Sequence, residues 1–297
     1  MSLFNLHDNP RLNTSKVSLV EYLVLLTHLK RIKCPVLKFL ARKIRAFDAV
    51  KDHVHTLILG SSHAQMGWVA ERDEFNMGLG YQDLYYTYHL YKRYMDCPNL
   101  KNIVVFYSVF SQGHQLIRTR DARACVSFKV VAGIEYSNVA MSKALHLGRL
   151  EGVYSRKAKR WQGKHPAIVG DLGNENDYIP ALTPSAKDRA LPHLKNNRRD
   201  FDMTAFVNLM ATEMEKRGQK LFVVIPPATF AYRQALPGAD VLFSRIRGCM
   251  SRLGSAKLMN HYEDDDFLDD GDFIDWDHLS RKGAIKLTAK IRSEMGL

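Results

Sequence analysis

The sequence predicts an α/β protein: a three-layer α/β/α arrangement around a doubly wound parallel sheet. Three observations point there. Short buried-type runs recur at Thr56-Leu57-Ile58-Leu59, Lys101 to Tyr107, Lys220 to Ile225 and Ala256 to His261. The first is apolar on both faces, as a central strand covered from both sides must be. Amphipathic stretches of helical length separate these runs, which is the rhythm of parallel strands joined by crossover helices. Residues able to do chemistry stand just past strand ends, where open parallel sheets bind their ligands.

Val17 to Arg31 sets Val20, Leu23, Val24 and Leu26 at helical spacing, and Pro35 interrupts before a second amphipathic stretch through Arg45. Residues 1–50 are therefore expected as two short basic helices, with nine Lys or Arg against three acids. Their apolar stripe either packs on the main domain or a second subunit, or lies on an anionic membrane surface through residues 17–47. Residues 51–297 make the main domain.

Within it, Tyr81 to Tyr94 reads as a helix with Tyr81, Tyr85, Tyr88 and Tyr91 on one face, a stripe suited to core and interface packing or to stacking on sugar rings. Residues 114–200 interrupt the alternation with no clear buried strand and are expected as an inserted cap, basic by sixteen Lys or Arg to eight acids. Phe201 to Arg217 and Val241 to Leu253 follow as helices. Pro226-Pro227 ends the third run at the edge where a site would lie. Ser280 is placed to cap a last helix through Met295.

Composition narrows the function classes. The chain has 297 residues and a formal net charge of +12. Zinc-finger spacing, an RNP-like aromatic motif and helix-turn-helix cues are all missing, so specific nucleic-acid binding is not expected. An anionic glycan, a phosphorylated carrier or the phosphates of CoA would exploit the same charge. Cys34, Cys97, Cys125 and Cys249 lack metal or redox spacing, which predicts free thiols and no structural zinc. The N-terminus shows no signal-peptide pattern, and no stretch reaches the ~18 apolar residues of a spanning helix. A cytoplasmic, membrane-peripheral at most, protein is expected. The acidic run Glu263 to Asp272 fails as a calcium loop, because Leu268 would fall at a ligand position.

Two motifs carry the chemistry. Gly60-Ser61-Ser62-His63 follows the first strand, and Asp275-x-x-His278 precedes the last helix. A serine hydroxyl needs an imidazole to take its proton and a carboxylate to orient that imidazole. Ser62, His278 and Asp275 suit those roles, while His63 suits packing or a helix start and His114 a contact to substrate. A nucleophile elbow of the α/β-hydrolase kind also matches Gly60-x-Ser62, but that layout brings its serine in after several strands.

This pair resembles the SGNH (GDSL-like) hydrolases and acyltransferases, over roughly Val54 to Leu297. The resemblance implies a flavodoxin-like layering, Ser62 as nucleophile, and His278 with Asp275 as base and orienter. Phe75-Asn76-Met77-Gly78-Leu79-Gly80 is similar to the family's second block, which implies an oxyanion-hole N–H from Gly80, or else Gly78, beside that of Ser62. The family's third block carries an Asn; here the segment reads Tyr107-Ser108-Val109-Phe110-Ser111-Gln112-Gly113. Ser108 or Gln112 replaces that Asn, or the hole rests on backbone groups. The family's usual Asp before the nucleophile is Ser61.

The implied activity is serine-dependent acyl transfer, most simply of acetyl, to or from a carbohydrate hydroxyl such as that of a bacterial surface polysaccharide. No tightly bound cofactor or metal is implied, and acetyl-CoA would serve as donor substrate. A carboxylesterase or deacetylase of the same fold is the nearest alternative. A non-catalytic scaffold that binds glycan or a partner enzyme is the other.

Overall fold

The computed structural model describes residues 36–136, 141–164, 172–174, 183–196, 202–236, 238–251, 253 and 256–297. Five strands, β1 (Thr56–Leu59), β2 (Glu74–Asn76), β3 (Asn102–Phe106), β4 (Lys220–Ile225) and β5 (Ala256–Asn260), form one sheet in the order β2-β1-β3-β4-β5. All four pairings are parallel. The strand order reverses between β1 and β3, which opens a crevice beyond their carboxyl ends.

Both faces of the sheet are covered. Ile58, Val104, Phe106, Phe222 and Val224 point one way and join Ala64, Trp68, Leu287 and Ile291 in a single apolar cluster. Ala64 belongs to the short helix Ser62–Gly67 that follows β1 and the last two to the C-terminal helix, so this face is closed by elements from opposite ends of the domain. The alternate residues Leu57, Leu59, Ile103, Val105, Leu221 and Val223 point the other way by the two-residue period of a strand, and they are equally buried.

Besides a single helical turn at Asp269–Asp272, the α-helices among the described residues are, in chain order, α1 (Leu37–Val50), α2 (Ser62–Gly67), α3 (Leu84–Tyr94), α4 (Ala124–Ala132), α5 (Met141–Lys164), α6 (Ala186–Asn196), α7 (Ala205–Glu215), α8 (Phe230–Ala235), α9 (Ala239–Met250) and α10 (Arg281–Met295). Their starts follow the sequence. Ser280 caps α10 by accepting from Gly283 N–H, and Asp83 caps α3 by accepting from Tyr86 N–H. That cap starts α3 three residues later than the tyrosine pattern suggested. Tyr81 lies outside the helix at φ 70°.

Strand β2 is a departure from the sequence reading, which expected no strand in this segment. Two of its three residues are polar, but both are buried and satisfied. Glu74 accepts from Trp68 Nε1 and holds the Arg292 guanidinium of α10 at 2.8 Å and 2.6 Å. Asn76 Nδ2 reaches the carbonyls of Ala64 and Trp68, tying the strand to the end of α2.

Helix α1 belongs with the sheet unit, which runs from Pro35 to Leu297. Its apolar face, Leu40, Ile44 and Phe47, is buried, and Phe47 packs edge-on against Phe75 and Tyr94. Lys43, one of the nine basic residues counted in residues 1–50, is buried and donates to the carbonyls of Asn76 and Gly173 at 2.7 Å and 2.6 Å. The apolar side of this half of residues 17–47 is thus taken up by the protein itself. The other half, with the expected first helix and Cys34, lies outside the described residues.

Residues 114–200 contribute helices α4, α5 and α6 and, among the described residues, no strand. The tyrosine face of α3 serves packing: Tyr91 donates to Gln219, Tyr85 to the Glu135 carbonyl, and Tyr85 and Tyr88 meet Phe206. Part of the acidic run binds lysines of α10, with Lys290 between Asp264 and Asp266 and Lys286 on Asp272. Among the described residues, Cys97, Cys125 and Cys249 form no disulfide and no helix is long and apolar enough to cross a membrane.

Candidate active site

Strand β1 delivers its chemistry through one glycine. Gly60 turns the chain at φ +134°, and a Cβ there would stand 3.0 Å from the Phe106 carbonyl oxygen, so only glycine can make this close exit from β1 past β3. Ser61 then caps α2 and receives His63 N–H. Ser62 follows at the first helical position, where N–H groups lack intrahelical acceptors. Ser61 is buried, whereas Ser62 stays partly open.

A second turn supplies the base. Residues 274–278 are pinched by the antiparallel bridge Phe273–Leu279 and by Ile274 N–H donating to the His278 carbonyl. Inside the turn Asp275 Oδ1 accepts the backbone N–H of Asp277 and of His278, at 3.0 Å and 2.7 Å. This is a local habit of Asp in turns. It leaves Oδ2 to accept from His278 Nδ1 at 2.8 Å, and His278 Nε2 lies 2.8 Å from Ser62 Oγ. Residues more than 200 positions apart therefore meet in an unbroken Ser–His–Asp hydrogen-bond chain. Burial opposes ionisation of Asp275, but the hydrogen bond and charge of His278 outweigh it and hold the carboxyl below its usual range.

Beside this chain runs a second one that the sequence did not reveal. Ser61 Oγ lies 3.3 Å from His63 Nδ1, and His63 Nε2 lies 3.1 Å from Asp277 Oδ2. The two imidazoles stack with centroids 4.7 Å apart. Burial lowers the pKa of His63 in spite of its bond to Asp277, so the ring is neutral, with Nε2–H donating to Asp277 and Nδ1 facing Ser61. The Ser62 chain has the shorter contacts and the accessible hydroxyl. His63, read as a packing residue, packs and also orders Asp277.

The segment between β3 and β4 reaches the site through α6. Ser185 Oγ accepts Asp188 N–H and starts the helix, and Arg189 and His193 then fall one turn apart on the same face. Arg189 Nε and Nη2 lie 2.8 Å and 3.3 Å from the Asp277 oxygens, and Nη2 lies 3.4 Å from both ring nitrogens of His278. Since those nitrogens already serve Asp275 and Ser62, the guanidinium sits against the ring as a fixed positive charge. Burial opposes ionisation of Asp277, yet His278, His63 and Arg189 keep its carboxyl well below the usual range. His193 is pushed down to about 3 by burial and accepts from Tyr232 OH. Only the Ser185-x-x-Asp188 pattern signalled this helix locally; that it would meet Asp277 is a long-range fact.

The glycines expected to serve the oxyanion are already engaged. Gly80 N–H donates to Gln65 Oε1 at 2.8 Å and Gly78 N–H to Asn76 Oδ1 at 3.0 Å. Gly78 is needed for space instead, since a Cβ there would stand 2.5 Å from that of Ala64. Ser108 Oγ is buried without a partner, in a small cavity lined also by His63, Pro226 and Asp277, while its N–H binds Ser111. It lies on the His63 side of the site. Gln112 Oε1 is likewise buried and unpaired. Among the described residues, Ser62 N–H and Tyr81 N–H have no acceptor, and Tyr81 directly follows Gly80 in a left-handed conformation that non-glycine residues rarely adopt.

His63, Asp277 and His278 are close enough together to hold a metal ion. Their chemistry speaks against it. A divalent cation would have to displace Arg189 from Asp277 and break the His278 bonds to Asp275 or Ser62.

No protein-family model and no curated protein matches the chain. Among solved structures, one from Streptococcus pneumonia provisionally described as a platelet activating factor aligns over 94% of this chain and 100% of its own, with 11% identity and a TM-score of 0.43.

Proposed function

We propose that the protein is a serine-dependent acyltransferase of the SGNH type, moving an acyl group, most simply acetyl, to or from a carbohydrate hydroxyl. The observation that carries this reading is the 2.8 Å contact from Ser62 Oγ to His278 Nε2, continued at 2.8 Å to Asp275, at the switch point of a parallel sheet. Ser62 Oγ attacks the acyl carbonyl while its proton passes to His278 Nε2. The tetrahedral oxyanion is received by Ser62 N–H and Tyr81 N–H. Collapse breaks the bond to the donor's leaving group, which takes the proton from His278. A sugar hydroxyl then gives its proton to His278 and attacks the acyl-serine; the acyl–Oγ bond breaks and His278 returns the proton to Ser62 Oγ.

Transfer rather than plain hydrolysis is the reading because α6 sets Arg189 against the His278 ring and His193 beside Asp277, covering one side of the relay. An oxyanion hole of backbone donors explains how the chemistry proceeds without the family's third-block Asn. One such donor contributes about 2.7–4 kcal/mol of transition-state stabilisation. The test incubates the protein with acetyl-CoA and candidate glycans, and separately with aryl acetates. Acyl-glycan product with little hydrolysis supports transfer; hydrolysis alone makes the protein an esterase; inertness in both, with the fold intact, refutes the reading in favour of a binding scaffold.

A further inference from the structure

On the outer side of α6 the protein holds a cavity of about 600 Å³, walled on one side by residues 113–121 and on the other by Leu191, Pro192 and Lys195. Its volume is that of a small-molecule site. Two connections join it to the relay. Phe110 packs on His63 and His193 and, on its other edge, on His114 of the cavity wall. Asp121 and Arg120 of the same wall act electrostatically on Tyr81, next to Gly80. Through Phe110 the cavity wall adjoins His63, whose ring stacks on that of His278.

Its lining is cationic and polar. Arg118, Arg120 and Lys195 stand against one acid, Asp121, which Arg120 approaches at 3.7 Å. Two buried polar atoms in the wall have no partner, His114 Nδ1 and Gln115 Oε1. Burial pushes His114 down to about 4, so its ring is neutral near pH 7 and can donate one N–H. Gln115 Oε1 only accepts, and its amide nitrogen faces Met203. Buried polar atoms without a partner are costly, and a ligand donor that reached the Gln115 carbonyl would relieve that cost. The complement is a molecule with several negative charges for the cations and a hydroxyl or amino donor for the glutamine carbonyl.

Resting on the acyl-transfer reading, we propose that this cavity binds the nucleoside-phosphate portion of a substrate while its reactive end reaches Ser62. Phosphate oxygens meet Arg118, Arg120 and Lys195, for which guanidinium groups offer paired donors. Ribose or base donors meet Gln115. Two sources share this chemistry, a CoA thioester donor and a nucleotide-linked sugar acceptor.

Calorimetric titration of the wild type with 3′,5′-ADP, with UDP and with a uronate disaccharide tests the idea. At least one nucleotide is expected to bind, weakening as salt rises. 3′,5′-ADP marks the donor and UDP the acceptor. The double reversal Arg120→Glu, Lys195→Glu is expected to raise Kd at least about tenfold, equivalent to 1.4 kcal/mol, and Gln115→Leu to raise it severalfold, while both leave hydrolysis of an uncharged aryl acetate unchanged. Binding by neither nucleotide, binding of the uronate alone, or nucleotide binding unaltered by the charge reversal overturns the proposal. Nucleotide binding without aryl-acetate turnover in the wild type would sink the acyl-transfer reading instead.

Discussion

Replacing Asp277 by asparagine probes how α6 is attached to the site. Asp277 is buried, with its side chain 4% exposed, and one carboxylate serves His63 Nε2 and the Arg189 fork. Asparagine keeps the volume but turns one acceptor oxygen into a donor. His63 retains an acceptor, and Arg189, 19% exposed, loses the charge that compensates it. Removing one partner of a buried pair costs about 3–5 kcal/mol, and the partial exposure of Arg189 places this case near the lower figure, ~3 kcal/mol. Urea titration should show the loss as a lower midpoint with little change in slope. Because the cost lies in a stranded guanidinium, Asp277→Asn should be cheaper by about 2 kcal/mol in an Arg189→Met background. A cost under about 0.5 kcal/mol, or an equal cost in both backgrounds, would refute the ion-pair account. The pair also has a pH signature. The depressed pKa of Asp277 adds stability that is complete above the unfolded carboxylate value of ~3.9 and is lost as pH falls through the lower folded value.

Asp275→Asn should leave the fold intact and lower turnover by about 10⁴, since the amide cannot hold the His278 tautomer, as measured by aryl-acetate kinetics and circular dichroism. Lys43→Met should destabilise the protein by about 2 kcal/mol or more, because two buried carbonyls lose a charged donor, with the urea midpoint as the readout. Asp83 is raised to about 6 by burial, against the backbone hydrogen bonds it accepts. Its penalty is full above pH 6 and relieved as pH falls toward 4, so the stability of Asp83→Asn relative to wild type should improve by about 2 kcal/mol between pH 4.5 and pH 7 in paired urea titrations.

Residue type and placement alone made Ser62, Asp275 and His278 legible, because an α/β rhythm sends strand ends to one edge and these residues stand at such ends. Strands β1, β3, β4 and β5 were legible from their buried runs. Strand β2 was not, since Glu74 and Asn76 break the apolar pattern and are satisfied by Trp68, Arg292 and the end of α2, none of which is a local cue. The oxyanion glycines misled for a similar reason. A glycine marks where backbone is unusual, but whether its N–H is spoken for depends on partners such as Gln65 and Asn76. Arg189, His193 and Asp277 were invisible as site residues because α6 comes from the insert and meets the turn at 274–278 only in three dimensions.

The relay itself is tested most directly by a serine-reactive fluorophosphonate followed by peptide mass analysis. The account predicts an adduct on Ser62 in the wild type and in Ser61→Ala, no adduct in Ser62→Ala, and slowed labelling in His278→Ala. An adduct on Ser61, or none on a folded wild-type protein, would contradict it.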